Sequence, residues 1–572
     1  MHPCVAPRAL RALAALVVAT GCGAVAPAPI PVANVAAVEE GETDAHWADD
    51  FLPDRTEGAV EHREWGRHVA LIYAGRVYAS NGDDMPAQIL APVFALAFAE
   101  PAADPPRVAL IGVGSGVELA VLLHIGATVD VYEGRPELLR NVHHLTSRVG
   151  WTVDGLKITD RGLAHPRLRI VTSRLAAPPR PPTYHVILHA NAVSVFSGGP
   201  PLFQVERFER LRDRLSPGGV LGIHQQLYDV RPDVHRRMVA TFAAAFPEAI
   251  STVSEDLSSH SFLYGARHPL RIDAARTREL HVATAELRAT ERRDPWPNPI
   301  DLAARVLLRS RSEILTFSEG EAPYRAGRPM TENRWFRRLP QPDDSDDDEE
   351  AWKRWESANG AALAEMGISP AYLATIYQPD AWHGFPCDGG QCPLLRGFDG
   401  TGLARLARRQ VAHGQLSRAS ETLRAAEARD GDPAAIEHVV ALVRLFLGDE
   451  PPPTDLAALL GLSPTDPQAL ALREAMSVSH RSDFPGPRVN ELIGELRARG
   501  AILDPVGERM VELIATLSEE APALELADAL SAETAFIQTH PEVRWWLARA
   551  YWNELLYDRA VDWAERHLRV TR

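Results

Sequence analysis

Short apolar runs alternate with longer amphipathic segments between about residues 100 and 265 of this chain. The apolar runs predict strands at 107–111, 128–133, 167–172, 184–189 and 218–224. The segments between them predict helices at 117–125, 136–148, 204–215 and 232–245. Such alternation is typical of a parallel sheet with helices on both faces. Residues 259–264 would close that sheet as an edge strand.

A hairpin and an apolar helix are predicted before this α/β region. β-rich runs flank Ala74-Gly75 and predict the hairpin over residues 66–80. Pro86 is a favourable first residue for the helix, which the apolar run 87–98 would form. After the α/β region, the chain to about residue 340 is predicted to be helical and then irregular.

The C-terminal part is predicted to be all-helical. From about residue 397 no strand signals occur, and residues 402–426 and 433–447 predict a helical pair with alanine-rich faces. The last segment has large and small residues near the packing positions of a tetratricopeptide repeat. These residues are Trp545, Leu547, Ala548, Tyr551, Ala560 and Ala564. A generic helical bundle is the alternative interpretation.

An acidic run separates the two regions. Asp343 to Glu350 holds seven acidic residues in eight, and their mutual repulsion predicts a solvated linker. No glycine-turned loop accompanies the run, so a calcium site is not predicted. The chain is therefore divided into segments 1–22 (signal and lipobox), 23–58 (tether), 59–268 (α/β domain), 269–342 (extension), 343–351 (acidic linker), 352–396 (connector with a cysteine pair) and 397–572 (helical region).

Composition limits the class of protein. The 572 residues are 45% hydrophobic and 24% charged, which is ordinary for a globular chain of several domains. The net charge of -16 argues against a nucleic-acid partner. No apolar run after the N-terminus reaches the roughly 18 residues of a membrane span.

The N-terminus has the features of an export signal. Arg8 and Arg11 precede a wholly apolar run, Ala12 to Ala19, and small residues then lead to Cys22. This arrangement resembles a bacterial lipobox, although Ala19 stands where that pattern prefers leucine. Lipidation at Cys22 would anchor the chain to a membrane of the bacterial envelope. A plain secretory signal and an alanine-rich cytosolic tail are the alternatives.

Two cysteines lie outside the signal. Cys387 and Cys392 flank a Gly-Gly turn, which favours a small disulfide loop in an oxidising compartment. Free thiols are one alternative. A metal site with His383 is another, but one cysteine pair and one histidine are an incomplete ligand set for zinc. No metal site is predicted.

A glycine-rich turn is the main candidate binding site. Gly112, Gly114 and Gly116 join the strand at 107–111 to a helix, and the next strand ends at Glu133. Glycines let the backbone approach a ligand, and a carboxylate at that strand end can accept hydrogen bonds from both ribose hydroxyls. This layout predicts an adenosine-containing ligand. A solvated strand-end carboxylate is the alternative role for Glu133.

The order of these motifs resembles a known family. Residues 60–265 resemble the spermidine synthase-like domain, a branch of the class I methyltransferase fold, and the segment to residue 340 resembles its bacterial multidomain tail. The resemblance is carried, in order, by the hairpin, the Gly112 turn, Glu133, residues 165–171, residues 184–188, Leu202-Phe203 and residues 215–220. It implies S-adenosylmethionine, its decarboxylated form or methylthioadenosine as a ligand.

The same resemblance predicts that aminopropyl transfer is lost. A diamine substrate arrives protonated, since amine pKa values lie near 10, and its site needs carboxylates to bind it and to remove a proton. The family's acidic and polar positions are occupied here by Ala74, Tyr78 and Arg174, and the catalytic aspartate falls at His189 or Ala190. Asp83 and Asp84 would contact the ligand or cap a helix.

His189 is the one weak candidate for a catalytic base, because an imidazole titrates near neutrality. A structural role is the alternative. We therefore expect an envelope lipoprotein with a non-catalytic binding or assembly module that requires no cofactor. Its helical repeats would bind a protein partner. The alternative is an aminopropyltransferase or methyltransferase that uses an adenosyl donor.

Overall fold

The structure is a computed structural model that describes most of the chain between residues 46 and 326 and between 395 and 571. The described residues are 46–52, 60–65, 68–73, 76–80, 85–102, 105–134, 138–139, 152–153, 156–157, 165–173, 176–178, 182–189, 203–226, 232–254, 260–289, 296–318, 320–326, 395–447, 454–463, 465–468, 470–471, 486–501, 503–518, 522–554 and 556–571. None of the helices described is long and apolar enough to cross a membrane.

The N-terminal elements contain the predicted hairpin and one further strand. A 3-10 helix, His46–Asp50, comes first. An antiparallel three-stranded sheet follows, with β1 Val60–Trp65, β2 His68–Tyr73 and β3 Arg76–Ser80. Helix α1, Met85–Phe98, is buried along its whole length. Its sequence is apolar except for Gln88, which explains this, because a helix that is apolar on every side must be covered on every side.

The main sheet has eight strands. They are β4 Arg107–Ile111, β5 Thr128–Tyr132, β8 Leu168–Val171, β9 Tyr184–His189, β10 Leu215–Gln226, β11 Glu248–Val253, β12 His260–Ala266 and β14 Val306–Leu308. The remaining strands form two-residue pairs: β6 Thr152–Val153 with β7 Leu156–Lys157, and β13 Ile272–Asp273 with β15 Leu395–Arg396. All five strands predicted from the apolar runs are confirmed.

The strand order identifies the type of sheet. It runs β14-β11-β12-β10-β9-β4-β5-β8, and the strands from β10 to β8 are parallel. Numbered along the chain, β8-β5-β4-β9-β10 is the 3-2-1-4-5 order of doubly wound nucleotide-binding sheets. An antiparallel strand, β12, lies between β10 and β11. The predicted Rossmann-like sheet is therefore confirmed.

One prediction about this sheet is wrong. The run 259–264 does form a strand, β12, but that strand is internal and not at the edge. It pairs with β10 on one side and with β11 on the other, and β14 pairs with β11 to form the edge. The interior position explains why every residue of β12 is buried.

Helices cover both faces of the sheet. The described helices of this region are α2 Val117–His124, α3 Val205–Arg212, α4 Pro232–Ala245, α5 Ala274–Ala283, α6 Ala285–Arg288, α7 Asp301–Ala304 and α8 Arg311–Phe317. Helices α1 and α2 share one apolar cluster with alternate strand residues such as Leu110 and Val131. Helices α3 and α4 share the opposite cluster with Ile111 and Tyr132. The helix predicted at 136–148 lies almost wholly outside the described residues.

The described part of the C-terminal region after β15 is helical. Its helices are α9 Gly400–Val411, α10 Leu416–Glu427, α11 Pro433–Leu447, α12 Leu456–Leu459, α13 Gly486–Ala498, α14 Pro505–Ser518, α15 Leu524–Ser531, α16 Thr534–Thr539, α17 Val543–Asn553 and α18 Tyr557–Thr571. The six residues near repeat-packing positions in α17 and α18 are all buried. Buried small and aromatic residues also fit a generic bundle, so the tetratricopeptide assignment stays a prediction.

The first helical pair packs on the edge of the main sheet. The buried Arg418 in α10 donates hydrogen bonds to the carbonyl oxygens of Val306, at 2.6 Å, and of Leu307. Arg409 in α9 lies 2.7 Å from the fully buried carboxylate of Asp301. Covering an edge strand blocks its pairing with another chain.

Candidate functional site

The turn between β4 and α2 has a backbone that only glycines adopt without strain. Gly112, Gly114 and Gly116 have φ angles of 76°, 54° and 86°, in the left-handed region. A side chain at such a position costs roughly 1–2 kcal/mol. The N–H of Gly116 donates to the carbonyl of Val113 at 2.9 Å and closes the turn just before α2 begins. The sequence signal of three alternate glycines thus corresponds to a specific local geometry.

The end of β5 holds this turn through two consecutive amides. The N–H of Gly112 donates to the carbonyl of Tyr132 at 2.8 Å. The N–H of Val113 donates to Oε2 of Glu133 at 3.2 Å. Glu133 is fully buried, so its carboxylate needs such donors to offset its lost hydration. The structure therefore brings Glu133 against the glycine turn, and its role toward a ligand stays a prediction.

A buried polar chain fixes the turn from the other side, and the sequence reasoning missed it. The hydroxyl of Ser115 contacts Oε1 of Gln88 in α1 and accepts the N–H of Val117 at 3.1 Å. Gln88 in turn donates to the carbonyl of Ser80, at the end of β3, at 3.0 Å. A serine inside a glycine-rich turn is visible in the sequence. Its partner Gln88 lies 27 residues away and could not be predicted from the sequence, because the contact exists only once α1 packs against the turn.

A second polar cluster surrounds Asp130 of β5 and includes side chains of β4, β8 and β9. The buried Oδ2 of Asp130 accepts from Arg107 at 2.9 Å, Arg169 at 2.6 Å and the Tyr184 hydroxyl at 2.9 Å. The hydroxyls of Tyr132 and Tyr184 lie 2.5 Å apart. Burial, with the Asp130 charge adding to it, raises the pKa of Tyr132 to about 12, although the Tyr184 hydrogen bond and the two arginines oppose this. Burial also raises the pKa of Tyr184, with Asp130 adding to the effect, so both phenols stay protonated and act as structural donors.

Histidines lie at the carboxyl edge of the sheet but do not form one cluster. His189 ends β9, is buried, and pairs in register with Ile223. The next residue of β10, His224, projects from the opposite face because side chains alternate along a strand. Its Nε2 lies 3.0 Å from Nδ1 of His260, and burial lowers the pKa of His260 to about 4. In the described part of the chain, no group of three or more histidine, cysteine, aspartate or glutamate side chains is placed to hold a metal ion.

Several predicted site residues lie outside the described residues. Of the hairpin positions, Tyr78 lies in β3. The residues on which the structure is silent are Cys22, Ala74, Asp83, Asp84, Arg174, Ala190, Cys387 and Cys392. The expected loss of diamine-binding carboxylates, the lipidation and the disulfide therefore stay predictions.

Comparison with known proteins gives similarity at the level of solved structures. No family model and no curated protein sequence matches this chain. Spermidine synthase from Thermotoga maritima is 15% identical over 38% of this chain and 71% of its own, with a TM-score of 0.29. A spermidine synthase in complex with the transition-state analogue AdoDATO is 14% identical over 46% and 86%, with a TM-score of 0.35.

Human methyltransferase-like protein 13, in complex with SAH, is 18% identical over 36% of this chain and 88% of its own, with a TM-score of 0.24. All three scores lie below 0.5, so the fold assignment depends on the strand order of the main sheet. The α/β domain has a class I methyltransferase-type fold. Identity this low shows the fold alone and leaves ligand and activity open.

Proposed function

We propose that the α/β domain binds an adenosyl ligand and does not catalyse aminopropyl transfer. The ligand class is S-adenosylmethionine, its decarboxylated form or methylthioadenosine. The single observation that supports this is the left-handed glycine turn, held by two consecutive amide hydrogen bonds to the end of β5. Such a turn, at the carboxyl edge of a doubly wound sheet, lets a ligand approach the backbone closely.

The carboxylate of Glu133 supports the same proposal. The N–H of Val113 donates to this carboxylate, which as a group can accept about four hydrogen bonds in all. Ribose hydroxyls would add donors to the same group. Because Glu133 is fully buried, such charge-assisted bonds would form in a region of low dielectric constant, where they are strong.

The argument against transfer to a diamine is one of charge. A diamine carries about two positive charges, and leaving each unpaired in a partly dry site costs several kcal/mol. The positions that the family resemblance assigns to polar and acidic residues hold Ala74, Tyr78, Arg174 and His189 or Ala190. Arg174 would repel the substrate. We infer that a diamine does not bind.

The transferase alternative depends on His189. This side chain is buried at the end of β9, the edge of the sheet where ligands bind in such folds. An imidazole there could accept a proton from a neutral nucleophile. Turnover of S-adenosylmethionine or its decarboxylated form, lost in a His189→Ala variant, would favour this alternative over a binding module.

Isothermal titration of the mature protein with each of the three adenosyl ligands tests the proposal. Glu133→Gln keeps the shape of the side chain and removes its charge, and we expect it to weaken binding about tenfold or more, since hydrogen bonds to a charged group contribute about 1.5–3 kcal/mol each. Asp213→Asn, with a side chain 59% exposed in the same domain, is the matched control and should bind like the native protein. Absence of binding by the native protein would refute the proposal, as would aminopropyl transfer to putrescine or spermidine.

We also propose that this module belongs to an exported lipoprotein of the bacterial envelope. The basic start, the apolar run and the small residues before Cys22 support this. Export would place the α/β domain where no S-adenosylmethionine supply is expected, which argues against catalysis with that donor. The helical region would then supply a surface for a protein partner.

A further inference from the structure

A short N-terminal segment packs against the strand that ends at the candidate site. Residues 46–52, which we call the strap, contain the 3-10 helix and Phe51. The Phe51 ring is 1% exposed, and its centroid lies 4.8 Å from that of Tyr132 and 5.8 Å from that of Tyr184. Trp47 contacts Tyr132 edge-on at 6.2 Å. Aromatic contacts of this kind contribute about 0.5–1.5 kcal/mol beyond the area they bury.

Polar contacts fix the strap to helix α3. The carboxylate of Asp50 accepts hydrogen bonds from Nε and Nη2 of Arg210 at 2.7–2.9 Å. The backbone carbonyl of Asp50 accepts two more from Arg207, at 2.7 and 3.1 Å. A bidentate arginine–carboxylate pair has a defined geometry, so the strap is positioned as well as attached.

Tyr132 links the strap to the glycine turn. Its ring contacts Trp47 and Phe51 of the strap, and its hydroxyl lies 2.5 Å from that of Tyr184. Its backbone carbonyl accepts the N–H of Gly112, and the next residue, Glu133, accepts the N–H of Val113. A continuous set of contacts therefore runs from the strap, through one aromatic residue, to the amides of the turn.

We propose that Tyr132 is a positioning residue for the glycine turn and that the docked strap holds it in place. When the strap is released, the ring of Tyr132 loses its cover, and the end of β5 can shift away from Gly112 and Val113. The positioning role does not require a ligand. Its consequence for affinity rests on the proposed function: an adenosyl ligand would bind more tightly when the strap is docked and, by linkage, would stabilise the docked strap.

Hydrogen exchange followed by mass spectrometry tests the positioning role in the full chain. Phe51→Ala should release the strap and accelerate exchange in peptides containing the Gly112 and Val113 amides about tenfold. Phe51→Leu keeps most of the apolar volume and should restore slow exchange in part. Asp50→Ala removes the ion pair with Arg210, leaves the aromatic contacts of the strap in place, and should accelerate exchange about threefold even if Phe51→Ala fails to fold.

Arg325→Ala is the matched control. It removes another exposed ion pair of helix α3, the one with Glu206, and does not touch the strap. It should leave exchange at the turn unchanged. None of the variants should change exchange in peptides from α17 and α18. Exchange at Gly112 and Val113 that stays native while the strap peptides become labile in Asp50→Ala would overturn the proposal.

Titration with methylthioadenosine then tests the consequence for affinity. Asp50→Ala should weaken binding about threefold, and Arg325→Ala should not change it. Equal affinity of native protein and Asp50→Ala, with faster exchange at the turn, would overturn the coupling. If the native protein binds no adenosyl ligand, the proposed function fails, and the exchange measurements still decide whether Tyr132 positions the turn.

Discussion

We predict that Glu565→Gln loosens the C-terminal helix at neutral pH but not in strong acid. Glu565 in α18 connects three helices of the C-terminal region. Its Oε1 accepts from Nε of Arg408 in α9 at 2.6 Å and lies 3.3 Å from Nε2 of His438 in α11. The variant keeps the size of the side chain and removes its charge.

The expected magnitude follows from the pKa of Glu565. Burial alone would raise this pKa, but His438 and Arg408 more than offset burial and lower it from 4.5 to about 2. At about 1.4 kcal/mol per pKa unit, this corresponds to roughly 3 kcal/mol. The Arg408 side chain is 37% exposed, so solvent screening reduces the contribution, and we expect about 2 kcal/mol.

The pH dependence has a definite sign. The folded-state pKa lies below the unfolded value, so the contribution is fully present above about pH 4.5 and is lost as the pH falls toward 2. The difference in unfolding free energy between the native protein and Glu565→Gln should therefore be about 2 kcal/mol at pH 7. It should shrink steadily below pH 4.5.

Urea titration, followed by pulsed hydrogen exchange of peptides from α18, measures this difference locally. A local measurement is needed because a chain of several domains does not unfold in one step. Asp562→Asn on the same helix is the control: its ion pair with Arg566 is about half exposed and should contribute less than about 0.5 kcal/mol. A Glu565→Gln effect no larger than the control, or one that persists unchanged at pH 3, would refute the reasoning.

Three further predictions concern other parts of the chain. Arg418→Met should destabilise the contact between α10 and β14 by about 2–4 kcal/mol, measured by hydrogen exchange of peptides from β14 during urea titration, because two buried carbonyl oxygens lose charge-assisted hydrogen bonds; unchanged exchange would contradict this. Cys387 and Cys392 should resist thiol labelling in native, oxidised protein and label fully after reduction, whereas stoichiometric labelling without reductant would exclude the disulfide. Mass spectrometry of protein from the native cell should find a lipidated Cys22 at the N-terminus, and an unprocessed Met1 would contradict export.

The sequence predicted the fold where the signals were local and strong. The apolar runs that form β4, β5 and β9 are short, continuous and bounded by turn residues, and this pattern predicts buried parallel strands. The edge of the sheet was not predictable in this way. β14 is only three residues long, within a segment that resembles a helix, and β11 follows α4 after two residues. Their place beside β12 depends on pairing that no short pattern reveals.

The candidate site also contains some residues that local patterns predict and others that they do not. The glycine turn and Glu133 were found because their spacing along the chain is characteristic of the fold. Gln88 and the strap were not found, because their contacts form only when distant segments pack together. Gln88 in α1 contacts Ser115, and Asp50 accepts a hydrogen bond from Arg210, which lies 160 residues later in the chain. The sequence therefore predicted the glycine turn and Glu133 better than it predicted the residues that hold them in place.

The contacts of Glu133 explain why such a site could persist without catalysis. Its buried carboxylate accepts the Val113 amide and thereby supports the turn in the absence of any ligand. Loss of Glu133 would leave that amide without its acceptor, at a cost of about 1–3 kcal/mol, whether or not the protein binds an adenosyl group. The glycine turn and its carboxylate thus support the local fold, whether or not they also bind a ligand. Titration with Glu133→Gln tests whether the carboxylate contacts an adenosyl ligand, and the turnover assays distinguish an enzyme from a binding module.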